Sequence, residues 1–241
     1  MAVDTTLGMD EIYPALRAER PEQPNQLWAI PILGLIVKEI LLIPQFIELV
    51  VLEIVVGILV LINSFVVLFT GAYWQPAYNL LLGFSRFLLK IEFFFAGLTD
   101  KYPGFDLSID DRFSLDIASP VQPNRFFAIP IVGGIVRVFI TIPFAIYYDV
   151  IATAAGIGMV ISFVPVLFTG RYPEATFELI RDSARLAAAY LFYMAGVSDR
   201  YPNFSISMNH ATTKIILIVI AVIAVLMNFA TNLGGGGGRA R

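Results

Sequence analysis

The 241-residue chain has no cysteine and a single histidine. That removes disulfides, thiolate metal sites, haem-attachment motifs and histidine clusters from consideration, and no cofactor is expected. Charge is scarce too: Asp, Glu, Lys and Arg make up 15% of the residues, against about 25% in soluble domains, while 58% are hydrophobic. So little polar material does not cover a soluble core, whereas lipid accepts apolar side chains as an outer surface. The net charge of -3 leaves no basic excess for nucleic acid.

What the chain does contain is a repeat at a constant offset of 99 residues. Pro24-Asn25 returns as Pro123-Asn124, and Ala29-Ile30-Pro31-Ile32 as Ala128-Ile129-Pro130-Ile131. Leu68-Phe69-Thr70-Gly71 with Tyr73 returns as Leu167-Phe168-Thr169-Gly170 with Tyr172. Asp100-Lys101-Tyr102-Pro103 with Phe105 returns as Asp199-Arg200-Tyr201-Pro202 with Phe204. Between Pro24 and Ser108 about 31 of 85 positions are identical in the second copy, far above what shared apolar composition gives.

Ile30 to Phe69 would be about 60 Å as one helix, twice the hydrocarbon thickness, so a break is expected at Pro44 and at the matching Pro143. The segments before the prolines, Ile32 to Ile43 and residues 131–142, read as interfacial or re-entrant helices, too short to span. The expected fold is an all-α integral membrane protein: a tandem duplication of an interfacial helix plus a two-span helical hairpin, followed by a fifth transmembrane helix. The layout runs as a polar tail (1–23), repeat 1 (24–109, spans about 45–69 and 77–98), a linker (110–122) and repeat 2 (123–209, spans about 144–169 and 174–197). A fifth span (214–233) and a Gly-rich tail (234–241) complete it. Long apolar runs without two-residue alternation exclude an outer-membrane barrel and place the chain in an inner-type membrane. An even number of spans per copy implies two copies inserted in parallel.

Arg17, Arg20, Lys38, Lys101, Arg112, Arg125, Arg137, Arg200 and Lys214 fall on the side of the N-terminus, and Arg171, Arg239 and Arg241 on the other. The positive-inside rule then places the N-terminus in the cytoplasm and the C-terminus outside. Within the spans, Arg86 and its repeat mate Arg185 are the expensive residues. Pairing of Arg86 with Glu53, and of Arg185 with Asp149 or Asp182, would neutralise them; snorkelling, a lipid phosphate or a proton path are the other readings. Tyr73, Trp74, Tyr102, Tyr172 and Tyr201 are expected to anchor at the membrane interface.

The remaining features carry less. The linker acids Asp100, Asp106, Asp110, Asp111 and Asp116 lack the glycine and closing glutamate of an EF-hand loop, and copy two replaces three of them. Phe113 to Ile117 alternates apolar and polar residues as a short surface strand would. His210 reads as a solvated loop residue, and Gly234–Gly238 as a flexible tail. The Asp-(Lys/Arg)-Tyr-Pro-x-Phe motif supplies no nucleophile, base and orienter, so it reads as a membrane-exit signature.

These motifs resemble a bacterial membrane family known only as domain of unknown function four-three-eight-nine. Its pattern of an Ile-Pro segment, Leu-Phe-Thr-Gly-Arg-Tyr-Pro and Asp-Arg-Tyr-Pro-Pro-Phe is met well by Leu167 to Pro173 and Asp199 to Phe204, while copy one departs at Ala72, Trp74 and Lys101. The resemblance spans about residues 24–109 and 123–208 and implies a fold unit without an assigned activity. The expectation is therefore a non-catalytic scaffold or accessory subunit, acting on membrane lipids and on other membrane subunits or itself. Gly57, Gly156 and Gly158 would allow close helix approach. A small channel or transporter using the Arg and acid pairs is the alternative.

Overall fold

A computed structural model describes residues 14–108, 110, 112–117 and 123–234. The first 13 residues of the tail, Ile109, Asp111, residues 118–122 of the linker and the run after Gly234 lie outside it. The chain is helical, with one small sheet. In order it forms β1 (Ala15–Ala18), α1 (Leu33–Thr70), α2 (Gln75–Ala96), β2 (Phe113–Asp116), α3 (Val132–Thr169), α4 (Glu174–Met194) and α5 (Ala211–Gly234).

The expected breaks at the prolines do not occur: α1 and α3 each run 38 residues, straight through Pro44 and Pro143. The interfacial segments and first spans are thus single helices, each about 57 Å long at 1.5 Å per residue. Proline removes one backbone donor and weakens the preceding carbonyls, and both copies offer a replacement. The Tyr102 hydroxyl lies 2.8 Å from Leu41 O and 2.7 Å from Gln45 Oε1, and the Tyr201 hydroxyl donates to Ile140 O at 3.2 Å.

Each long helix begins from a 3-10 turn, Gln26–Ala29 or Arg125–Ala128, capped by the side chain of Asn25 or Asn124. The join is strained in both copies. Ile32 and Ile131 sit at φ of 65° and 66° in γ-turns closed by Leu33 N–H to Pro31 O and Val132 N–H to Pro130 O, a conformation that β-branched residues rarely take. The following glycine has no room for a side chain: a Cβ at Gly34 would lie 2.3 Å from Trp28 O, and one at Gly133 would lie 2.1 Å from Phe127 O. Gly71 and Gly170 end the helices in the left-handed conformation.

Of the five expected spans, three helices are long and apolar enough to cross a membrane: α1, α3 and α5. The helices α2 and α4 carry more charge and lie mostly buried. They form the centre of the fold, with α1 beside α2 and α3 beside α4.

The two hairpins are inverted relative to each other, which corrects the expected parallel arrangement. The Tyr172 hydroxyl at the turn of hairpin two donates to Ala96 O at the open end of hairpin one, at 3.0 Å. Tyr78, at the start of α2, meets the ring of Phe192 near the end of α4. Gly71, at the turn of hairpin one, abuts Arg125, where copy two begins. The cause is the connector after α2. It runs back along that helix, where Asp106 pairs with Lys90, Leu107 packs on Gly83 and the Tyr78 hydroxyl donates to Ile117 O. The chain is thereby returned to the turn end of hairpin one before copy two starts, so an extended strand supplies the traverse that counting helices leaves out.

After α4, residues 198–210 run back in the same manner, with Asn209 N–H on Glu178 and Ser207 on Asp182. Helix α5 then descends α3 in the opposite direction, placing Leu217 on Gly158 and Asn228 near Asp149. The expected surface strand is present at Phe113–Asp116. Its antiparallel partner is β1, inside the segment expected to be a polar tail, in the register Leu16 to Leu115. Leu16, Phe113, Leu115 and Ile117 turn inward onto α2 and α4, leaving Arg17 exposed.

Candidate functional site

Polar residues buried inside this apolar chain fall into three groups. The first is a clasp at the open end of each hairpin, built by one cation and one acid that recur at the repeat offset. In copy two Arg137, 2% exposed, donates to Tyr193 O at 2.6 Å, Ser198 O at 3.0 Å and Asp199 Oδ1 at 2.5 Å. It thereby ties Tyr193 in the last turn of α4 to Ser198 and Asp199 of the connector that follows. Its guanidinium also stacks between Phe127 and Tyr193. Asp199 Oδ2 in turn accepts the Asn124 N–H at 2.5 Å, fixing the 3-10 turn ahead of α3. Copy one uses Lys38, which donates to Phe95 O at 3.3 Å between the rings of Phe94 and Phe163, and Asp100, which accepts the Asn25 N–H at 2.9 Å.

The Asp-(Lys/Arg)-Tyr-Pro motif therefore has an internal job. Its acid holds the leading turn, its tyrosine covers the proline bend, and the Pro103 carbonyl accepts from Gln45 Nε2 at 2.9 Å. Sequence reasoning counted Lys38 and Arg137 only as topology charges. The signal that identifies them was available: they match at the offset of 99 residues, as do Asp100 and Asp199, whereas the acids sought near Arg86 and Arg185 do not match.

The second group ties the connectors to the central helices. Arg185 Nη2 donates to Ser205 O at 2.5 Å, and Arg185 Nε lies 3.9 Å from Asp182 Oδ1. Asp182 also accepts from Ser207 N at 2.5 Å and Ser207 Oγ at 2.9 Å. The expected Arg185–Asp182 pair is thus brought together, while Asp149 lies toward α5 beside Thr153 and Asn228. The repeat mate behaves differently: Arg86 forms no ion pair among the described residues, its Nε is buried without a hydrogen bond, and Glu53 is exposed. Copy one moves the work one turn along, where Lys90 Nζ donates to Asp106 Oδ1 at 2.8 Å and to Asp106 O at 3.1 Å. Hydrogen bonds from Lys90 and then Ser108 hold the Asp106 carboxyl well below the usual carboxylate range.

The expected interfacial aromatics divide. Tyr102 and Tyr201 cover the proline bends, and Trp74 N–H donates to buried Asn63 Oδ1 at 2.8 Å. Tyr73 is half-buried. Tyr172 is inside the fold, where burial pushes its hydroxyl pKa up.

The third group lines a cavity of about 790 Å³ between α2 and α4, walled by the first half of α1 and by Tyr148 of α3. Its lining pairs residues from the two copies: Leu49 with Tyr148, Ser85 with Ala184, Leu88 with Ala187, Leu89 with Ala188, and Glu92 with Leu191. The cavity therefore sits on the pseudo-twofold axis. On α2, Ser85, Leu88 and Glu92 lie about half a helical turn from Gly83 and Lys90, which face the connector, so cavity and connector occupy opposite faces. Among the described residues no group of three His, Asp or Glu side chains is placed to hold a metal ion.

Residues 33–106 and 134–205 each match the family model described as Domain of unknown function (DUF4389). Neither a curated protein nor a solved structure matches the chain.

Proposed function

The chain belongs to the DUF4389 family, carried in two tandem copies, and on that footing we propose that it is a non-catalytic membrane protein, a scaffold or accessory subunit of a larger membrane assembly that acts through lipid and helix contacts. The observation that carries this reading is the distribution of polar groups. Arg137, Lys38, Arg185, Asp182 and Lys90 are engaged in holding turns and connectors, while α1, α3 and α5 present large exposed apolar side chains along their lengths, from Ile36 to Phe69 on α1 alone. An exposed apolar surface of that extent on a soluble protein would aggregate, and in a membrane it is a lipid or subunit contact.

The same observation supports a layout other than five crossings. The strands and the connectors 100–108 and 198–210 cover one face of the helical layer for much of its length, carrying Arg17, Asp106, Ser205 and Asn209 at the surface. Hydrocarbon does not accommodate lipid-exposed extended backbone with unsatisfied polar groups. The layer accordingly lies along one leaflet of the cell membrane, strands toward water and α1, α3 and α5 in lipid, with both ends of both hairpins on one side.

The native chain has no cysteine, so single-cysteine variants report cleanly. Ala72, at the turn of hairpin one, and Lys101, at its open end, are both exposed. With A72C and K101C in sealed vesicles of one orientation, an impermeant maleimide labels both from the same side. Labelling from opposite sides restores a membrane-crossing layout. For the scaffold role, mild-detergent purification after cross-linking yields a defined partner or a defined oligomer; a bare monomer throughout defeats it. A proteoliposome ion flux abolished by changing Arg86 or Arg185 would instead establish the channel alternative.

A further inference from the structure

We propose that the cavity on the pseudo-twofold axis is a binding site for a single-chain amphiphile carrying an amine: an apolar chain in the cavity and an ammonium group at its acidic wall. The inference rests on the membrane reading above, because the cavity opens on the face away from the connectors. Its volume of about 790 Å³ falls within the roughly 300–1,000 Å³ of small-molecule sites.

Divergence between the copies shapes the site. On the α4 side, Ala187 and Ala188 stand where copy one has Leu88 and Leu89, and these two truncations open the space. On the α1 and α2 side, Glu39 and Glu92 stand where copy two has Val138 and Leu191. Neither carboxylate forms an ion pair or hydrogen bond among the described residues, in contrast to Asp100, Asp106, Asp182 and Asp199, which all do. Of the other polar lining residues, Ser85 Oγ already donates to Leu81 O, and the Tyr148 hydroxyl donates to neither acid among the described residues. Two unpartnered acids at the rim of an apolar cavity repel the phosphate of an anionic lipid and the carboxylate of a fatty acid. They attract an ammonium, whose three N–H groups donate to carboxylate oxygens.

The test uses full-length protein in a non-ionic detergent and three probes of equal chain length: dodecylamine, dodecanol and dodecanoate. Thermal unfolding is followed as each probe is titrated at matched mole fraction in the micelle. Dodecylamine is expected to stabilise the wild type saturably and at concentrations about tenfold lower than dodecanol, with dodecanoate weakest. Glu92→Gln with Glu39→Gln is expected to bring dodecylamine down to the level of dodecanol. Ala187→Leu with Ala188→Leu, which restores the copy-one residues, is expected to abolish the effect of all three. A diazirine analogue of dodecylamine, cross-linked to wild-type protein, is expected to label α2 and α4 peptides lining the cavity, and this arm stands even if a variant fails to fold. Equal stabilisation by amine and carboxylate, an undiminished amine effect in both double variants, or cross-links confined to the outer surface of α5 would overturn the proposal. Membrane retention of the wild type after alkaline carbonate extraction is read separately, so loss of the amine site is not confused with loss of the membrane reading.

Discussion

Replacing Arg137 by methionine tests how much a single buried cation holds together. The guanidinium makes three hydrogen bonds, to Tyr193 O, Ser198 O and Asp199 Oδ1, and is 2% exposed. Methionine fills much of the same volume without a donor, so Tyr193 O and Ser198 O each lose a buried hydrogen bond and the Asp199 carboxylate, whose side chain is 20% exposed, loses its cation. Removing one member of a buried pair destabilises by about 3–5 kcal/mol. At roughly 2–4 °C per kcal/mol for a chain of this size, the midpoint falls by about 6–20 °C. The internal control is Lys38→Met, the same position in copy one. Lys38 donates to one carbonyl at 3.3 Å, and its acid Asp100 is exposed, so the loss is about 1–2 kcal/mol. Unfolding of both variants in one detergent, followed by tryptophan fluorescence, gives the comparison. An Arg137→Met protein within 1 kcal/mol of Lys38→Met would refute the argument that the three-bond clasp and the depth of its acid set the difference.

Three further outcomes follow from the same geometry. Gly133→Ala places a methyl group 2.1 Å from the Phe127 carbonyl oxygen and, because that contact is backbone, is expected to destabilise by about 2–3 kcal/mol; thermal unfolding checks it. Ile131→Gly relieves a β-branched residue at φ 66° and is expected to leave stability unchanged or raise it by up to about 1 kcal/mol, read in the same assay. The Asp106 carboxyl is held below its unfolded value by Lys90 and Ser108, so the folded state binds fewer protons. The stability it contributes is present above the unfolded pKa of about 4 and is lost as pH falls below it. Urea unfolding of wild type and Asp106→Asn should therefore differ at pH 7, and the difference should shrink progressively as pH falls below about 4.

The repeat, the helix ends at Gly71 and Gly170, and the short strand at Phe113 are all legible in the amino-acid order, because each depends on local residues or on matching copies. Three things are not. Helix breaking at Pro44 is the correct local expectation, but Tyr102, 58 residues further on, supplies a tertiary donor at the bend. The direction of copy two depends on a connector that doubles back along α2, and no helical period records an extended segment's path. The burial of α2 and α4 depends on connectors laid over them, so Arg185 reads as a membrane charge when it is, like Lys90, an anchor for extended chain. The clasp residues, Lys38 with Asp100 and Arg137 with Asp199, are legible in the offset, because cation and acid recur together there.

The inverted docking of the hairpins has a consequence for how such a fold can be assembled. Each turn seats at the other's open end, which is the self-complementary geometry of an isologous dimer. Two separate chains of a single repeat, meeting in this way, would carry identical residues on both sides of the axis: leucines facing leucines, or an acid opposite the same acid. Joining the halves in one chain removes that constraint. One wall was then free to become acidic at Glu39 and Glu92 while the other was cut back to Ala187 and Ala188, so the fused chain has a two-sided pocket that a symmetric pair cannot form.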